Sequence, residues 1–335
     1  MISCTDLLHL NEHRLFKELK NGLPKSAKET RNILEVRDDV LYVWNAEECC
    51  ILTLNIAATC SKHGEEVPYQ TLQPTDPPIL EITNLLINET VTQLALWGNL
   101  GIVLVELPRR WGKDNAFQGG NEVVSCVSQL SSTEVRRVRW HPGSANDSHL
   151  LVLTSENGFQ LYECELGNSP GLLRTWKVGP TPSGSPSQHV PNIESLGETA
   201  VDFDFATPTL KSENDDKSGS KNYNWNKIDW PILVLLSCDN LYIFFSLTKP
   251  IVLGTLTMYP PTDDNYGIDS CSIMCIQTTP PTVVIATCTG KIYHALLLRD
   301  TYFCSHNAGI HVITLKMVSQ LDEYVGAKEG FIKLY

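Results

Sequence analysis

The sequence lacks the motifs with which most enzymes bind phosphate groups or attack carbonyl carbons. It contains no Gly-x-x-x-x-Gly-Lys-Ser/Thr loop and no Gly-x-Ser-x-Gly turn. Residues 182–186 (PSGSP) contain serine, but their proline and glycine content is typical of a loop. The sequence therefore gives no support to a phosphate-binding enzyme or to a serine hydrolase.

Long apolar runs are also missing. The longest stretch, residues 231–247, is interrupted by Cys238-Asp239-Asn240, and each half is far shorter than the roughly 20 residues that a membrane-spanning helix needs. Near the N-terminus, Leu7-Leu8-His9-Leu10 is too short for a signal peptide and is followed by polar residues. We therefore predict neither a transmembrane segment nor a secretory signal.

The cysteines do not form a paired framework. There are 11 of them, and several lie within apolar runs: Cys164, Cys238, Cys271, Cys275 and Cys288. We interpret them as reduced thiols that act as small apolar side chains in a cytosolic or nuclear protein. Zinc is the alternative for Cys271 and Cys275, and for the group Cys304, His306 and His311. Structural zinc sites have tighter paired spacing than these, so we predict no metal and no other cofactor.

The sequence contains fewer basic than acidic residues. The chain has 26 Lys and Arg against 38 Asp and Glu, which gives a net charge of −12. An acidic surface disfavours nucleic acids and anionic membranes as direct partners, because both carry negative charge. It favours a basic protein partner.

What the sequence does contain is a repeated strand–turn–strand pattern. An apolar run, a tight turn with Gly, Asn or Asp, and a second apolar run recur six times: Ile33–Trp44, Leu94–Leu107, Leu150–Tyr162, Ile232–Leu247, Val283–Leu298 and Tyr324–Tyr335. Residues 200–205 and 268–276 fit as further strands that precede a hairpin. A hairpin repeated along 335 residues predicts an all-β chain built as a β-propeller.

The clearest single repeat is Val135–Pro142 followed by Leu150–Tyr162, which resembles a WD-type repeat. No Trp-Asp dipeptide occurs in the chain, so we predict a propeller with a non-WD sequence. Residues 1–30 are predicted to hold a short helix, 6–21, and a polar connector, and residues 31–335 to form the propeller. Residues 167–192 and 206–227 offer no period and are predicted to be mobile loops.

Two pairs of carboxylates could imitate a general acid and base. Asp202 and Asp204 alternate with apolar residues, which indicates the solvated face of a strand. Asp263-Asp264 follows Pro260-Pro261-Thr262 and is typical of a turn. We therefore predict that the protein is not an enzyme and has no catalytic residues.

Four strings of residues resemble one family, the metazoan eighty-eight-kilodalton nucleoporins. They are Glu106–Lys113 with Phe117 and Gly119-Gly120, Ser195–Val201 with Phe203-Asp204-Phe205, Asp264–Gly267, and His306–His311. They occur in the same order as in that family and span residues 106–311. The chain is also free of Phe-Gly dipeptides, so a role as scaffold fits better than a role in the permeability barrier.

The resemblance implies a seven-bladed, non-WD propeller on the cytoplasmic face of the nuclear pore complex, at the nuclear envelope. It implies a scaffold that supports nuclear export of protein and mRNA. The implied partner is the autoproteolytic domain of the ninety-eight-kilodalton nucleoporin. Family members also carry a C-terminal coiled coil that joins them to the two-hundred-and-fourteen- and sixty-two-kilodalton nucleoporins.

This sequence departs from the family in its length. It ends at Tyr335 without a heptad run, so we expect a fragment or a short form, and the coiled-coil partners apply only if that region is present. We count six hairpins where the family implies seven blades.

Aromatic anchors beside acids are the expected chemistry of the partner interface. This predicts Tyr223 and Trp225 with Asp215 and Asp216, and Tyr266 with Asp263 and Asp264. Two alternatives remain open. One is a WD-like adaptor in another complex, and the other is a propeller hydrolase using Asp202, Asp204 and Asp269.

Overall fold

A computed structural model gives the fold of the chain. It describes residues 13–22, 31–61, 67–108, 119–131, 133–144, 146–178, 199–206, 230, 232–236, 240–244, 252–257, 270–278, 280–288, 290–297, 301–306 and 309–314. Two short helices are present in this part of the chain, α1 (Arg14–Gly22) and α2 (Ile56–Ser61). All other regular structure described is β-strand.

The described strands form five sheets, which follow one another along the chain except that the last strand of the first sheet lies, in sequence, between two strands of the second. The first sheet contains β1 (Leu34–Arg37), β2 (Val40–Asn45), β3 (Cys50–Asn55), β4 (Gln70–Pro74) and β8 (Gly120–Val124). The second sheet contains β5 (Asn84–Ile87), β6 (Gln93–Gly98), β7 (Gly101–Glu106) and β9 (Cys126–Leu130). The third contains β10 (Val135–Trp140), β11 (His149–Thr154), β12 (Gly158–Glu163) and β13 (Gly171–Lys177). The fourth contains β14 (Ala200–Phe205), β15 (Ile232–Leu236), β16 (Asn240–Phe244) and β17 (Val252–Thr257). The fifth contains β18 (Ser270–Ile276), β19 (Thr282–Thr287), β20 (Ile292–Leu297), β21 (Thr301–His306) and β22 (Gly309–Thr314).

Within each sheet, strands that follow one another in sequence are neighbours, apart from the connection that inserts β8. Successive meander sheets of four strands are the building unit of propellers, so the predicted fold class is confirmed. Five of the six predicted hairpins are found as β1–β2, β6–β7, β11–β12, β15–β16 and β19–β20. The sixth, 324–335, lies outside the described residues. The number of blades therefore stays a prediction.

Three other sequence predictions are tested by the bounds of the described elements. Residues 200–205 form β14 and most of 268–276 forms β18, and each precedes a hairpin in its sheet, as predicted. The loop predicted for 167–192 is wrong at residues 171–177, which form β13. All but one of the residues of β13 are exposed, so this strand does not show the alternation of apolar and polar residues on which the prediction relied. The described part of the predicted N-terminal helix is α1.

Contacts divide the chain into two compact units. The first comprises residues 1–140, 147–150 and 162–172, and the second comprises the remainder. In the first unit, one core lies between the first and second sheets and is centred on Tyr42, Ile51, Leu72, Leu94 and Leu96. In the second unit, Phe159 of β12 packs edge-on against Phe203 of β14, with ring centroids 4.9 Å apart. Alternating apolar residues on neighbouring strands build both cores.

The β1–β2 hairpin carries its turn on Asp38 and Asp39, whose φ angles are 50° and 61°. Because Arg37 pairs with Val40, the loop has two residues, and two positive φ angles define a type I′ turn. Asn-Gly suits this turn better than Asp-Asp, so the double change Asp38→Asn, Asp39→Gly is expected to raise the free energy of unfolding by about 1 kcal/mol. The melting temperatures of the variant and of the parent chain measure this change in stability. Leu100→Gly is the control, since Leu100 lies in a two-residue turn without positive φ. A lower melting temperature for the Asp38/Asp39 variant would contradict the prediction.

Candidate partner-binding surface

The residues predicted for the partner interface all fall outside the described residues. They are Asp215, Asp216, Tyr223, Trp225, Asp263, Asp264 and Tyr266. The structure neither brings them together nor separates them. The interface that they would form stays a prediction.

Asp202 and Asp204 are found in β14, but the prediction of a solvated face is wrong for Asp202, which is only 1% exposed. Its Oδ2 accepts hydrogen bonds from Ser272 Oγ at 2.9 Å and from the backbone N–H of Ile273 at 3.0 Å. Asp204 Oδ2 accepts from the backbone N–H of Cys275 at 2.7 Å. The carboxylates therefore bind β18 of the next sheet instead of facing water.

The predicted core thiols are confirmed at Cys164 and Cys275, which are buried and free. Burial raises the pKa of both thiols to about 12, so both are protonated at neutral pH. Cys271 is partly buried and donates to the carbonyl of Ala286, at 3.4 Å. Cys288 is exposed, which corrects its prediction as an apolar strand residue. Within the described residues, no group of three His, Cys, Asp or Glu side chains lies together as a metal site would need.

The outer edge of the first sheet carries an exposed end strand beside a cleft. We call it the edge surface and define it by β4, β8 and the side of α1 that adjoins them. β8 reaches this sheet in an unusual way: the segment between β7 and β9 leaves the second sheet and adds one parallel strand beside β4. Gln70 pairs with Gly120 and Pro74 with Val124.

Helix α1 covers one face of the first sheet beside this edge. Leu15 is fully buried and packs with Leu41, Val43, Leu52 and Leu54. The helix is fixed at its start, where His13 Nε2 lies 2.8 Å from the carbonyl oxygen of Val67. α1 therefore forms one side of the edge surface.

Between α1 and the edge lies a cleft of about 370 Å³. It is lined by Arg14, Val67, Pro68, Tyr69, Thr71, Gly120 and Asn121. Gly119 and Gly120 begin β8 with φ angles of 79° and 88°. A Cβ at Gly120 would meet nothing within 4 Å, so the space beside the start of β8 is open.

Tyr69, which lines the cleft, is hydrogen-bonded to Glu18 of α1. The Tyr69 hydroxyl donates to Glu18 Oε2 at 2.6 Å, and Arg14 Nε donates to Glu18 Oε1 at 2.8 Å. The bond from Tyr69 is the main cause of a lowered pKa for Glu18. Burial, followed by the hydrogen bond to Glu18 and the charges of Glu18 and Glu48, raises the pKa of Tyr69 to about 12.

The outer strand itself is exposed. Residues 120–123 are all exposed, and Val123 is 71% exposed. Glu122 Oε2 accepts from Gln70 Nε2 at 2.7 Å, which ties β8 to β4 through side chains as well. Among the described strands, β4 is the sole neighbour of β8.

Tyr69→Phe tests the link across the cleft. We expect the free energy of unfolding to fall by about 1 kcal/mol or less, because a partly exposed hydrogen bond to a charged acceptor is lost. Glu18 has a lowered pKa, so its contribution is lost as pH falls below the ordinary value of 4.5. Tyr69 has a raised pKa, so its contribution is lost as pH rises from the ordinary value of 10 towards 12. Denaturant unfolding should therefore show the deficit between about pH 5 and 9 and a smaller one outside that window. A deficit independent of pH would contradict the prediction.

Comparison with known proteins adds a family and a fold. The family model "Nup88: Nuclear pore component" matches residues 5–301 and 299–331. The structure is similar to a chain in the Chaetomium thermophilum heterotrimeric Nup82 NTD–Nup159 TAIL–Nup145N APD complex, with a TM-score of 0.57 and 10% identity over 98% of this chain and 88% of that chain. A chain of the yeast Nup82–Nup159–Nup116 complex is also similar, with a TM-score of 0.44 and 11% identity over 92% and 88% of the two chains. At such low identity, the first of these likenesses establishes the fold alone. No helix among the described residues is long and apolar enough to cross a membrane.

Proposed function

This chain belongs to the Nup88 family of nuclear pore components, and we propose that it is a non-catalytic scaffold on the cytoplasmic side of the pore that docks other nucleoporins. In this role it supports nuclear export of protein and mRNA. The observation that carries the proposal is the match of the family model to nearly the whole chain. Family membership supports a structural component of the nuclear pore complex.

We propose that the partner is the autoproteolytic domain of the ninety-eight-kilodalton nucleoporin. The proposal is supported by the similar Chaetomium complex, in which a Nup82 N-terminal domain is assembled with an APD of Nup145N. The net charge of −12 favours a basic partner domain. The two-hundred-and-fourteen- and sixty-two-kilodalton nucleoporins are partners only where a coiled coil accompanies this region.

We further propose that the acidic and aromatic residues predicted from the sequence take part in this contact. They are Asp215, Asp216, Tyr223, Trp225, Asp263, Asp264 and Tyr266. Tyrosine and tryptophan bury large areas at little entropic cost, and the acids beside them would attract a basic surface.

Calorimetric titration of the folded chain with that autoproteolytic domain tests the docking function. One-to-one binding with a Kd below about 1 μM is expected for a specific scaffold contact. A variant with alanine at the seven acidic and aromatic residues should bind at least about tenfold more weakly. The matched control carries alanine at Asp76 and Glu89, two exposed acids whose φ angles are not positive. Absence of binding by a folded chain would overturn the docking partner, and unchanged affinity of the seven-residue variant would overturn only the interface.

A further inference from the structure

We draw no further inference here: the strongest candidate, the exposed apolar face of the fifth sheet that carries Met274, Ile276 and Ile292, borders segments outside the described residues, and nothing in the structure shows what covers it.

Discussion

Replacing Gly98 with alanine is expected to lower the free energy of unfolding by about 3 kcal/mol, because the new methyl group has no space. Gly98 ends β6 and pairs with Gly101 across the turn to β7. A Cβ at this position would collide with the backbone carbonyl of Glu81 and would lie 3.5 Å from Leu80 Cδ1. The carbonyl belongs to the backbone that leads into β5, where the N–H of Thr83 bonds the carbonyl of Trp97 at 3.0 Å. Relief of the clash must therefore move the chain beside β6.

Gly171→Ala is the matched control for Gly98→Ala. Gly171 also lies at one end of a strand, but the nearest atom to its Cβ would be the carbonyl oxygen of Glu163 at 4.0 Å. Alanine there should change stability by less than about 0.5 kcal/mol. Urea denaturation of both variants measures the difference. Equal stabilities for the two variants would show that the approach of residue 81 to Gly98 does not constrain the fold.

The hairpins were predictable because their evidence is local. Alternating apolar residues separated by a polar turn specify a strand pair without reference to the rest of the chain. The hairpin of β15 and β16 is an example, with Val234 opposite Tyr242 in the structure. The same reasoning failed at β13, whose exposed side chains leave little hydrophobic periodicity to detect.

Local sequence patterns could not predict the edge surface. Residues 120–124 pair with residues 70–74, so the partners lie about fifty positions apart in the sequence. Parallel strands are not joined by a tight turn, so no local turn motif indicates that they pair. In the sequence, Gly119-Gly120 is informative only as part of one segment that resembles the nucleoporin family. The positive φ angles of both residues supply a physical reason for glycine at these positions.

The sequence also could not predict which way the acidic side chains point on the first strand of a sheet. Glu35 of β1 accepts from the N–H of Ile87 of β5 at 2.7 Å, and burial raises its pKa. Asp202 and Asp204 of β14 bond β18 in a comparable way. In each unit, a carboxylate on the first strand of one sheet therefore satisfies backbone donors of the first strand of the next. Period-two alternation identifies the strand, but it does not show that the polar face meets a neighbouring sheet.

Asp202→Ala should consequently be among the most damaging changes in the second unit, with a loss of about 3 kcal/mol in the free energy of unfolding. Asp202 is buried, and its Oδ2 accepts from Ser272 Oγ and from the N–H of Ile273. Alanine removes a charged acceptor from two donors at once, and the site is too buried for bulk water to replace it fully. Asp204→Ala, at a partly exposed residue with one bond to β18, should cost about half as much. Denaturant unfolding ranks the two variants, and hydrogen exchange should show faster exchange at Ile273 in Asp202→Ala. If both variants were as stable as the parent chain, carboxylates between sheets would contribute little, and apolar packing of residues such as Phe203 would hold β14 to its neighbours.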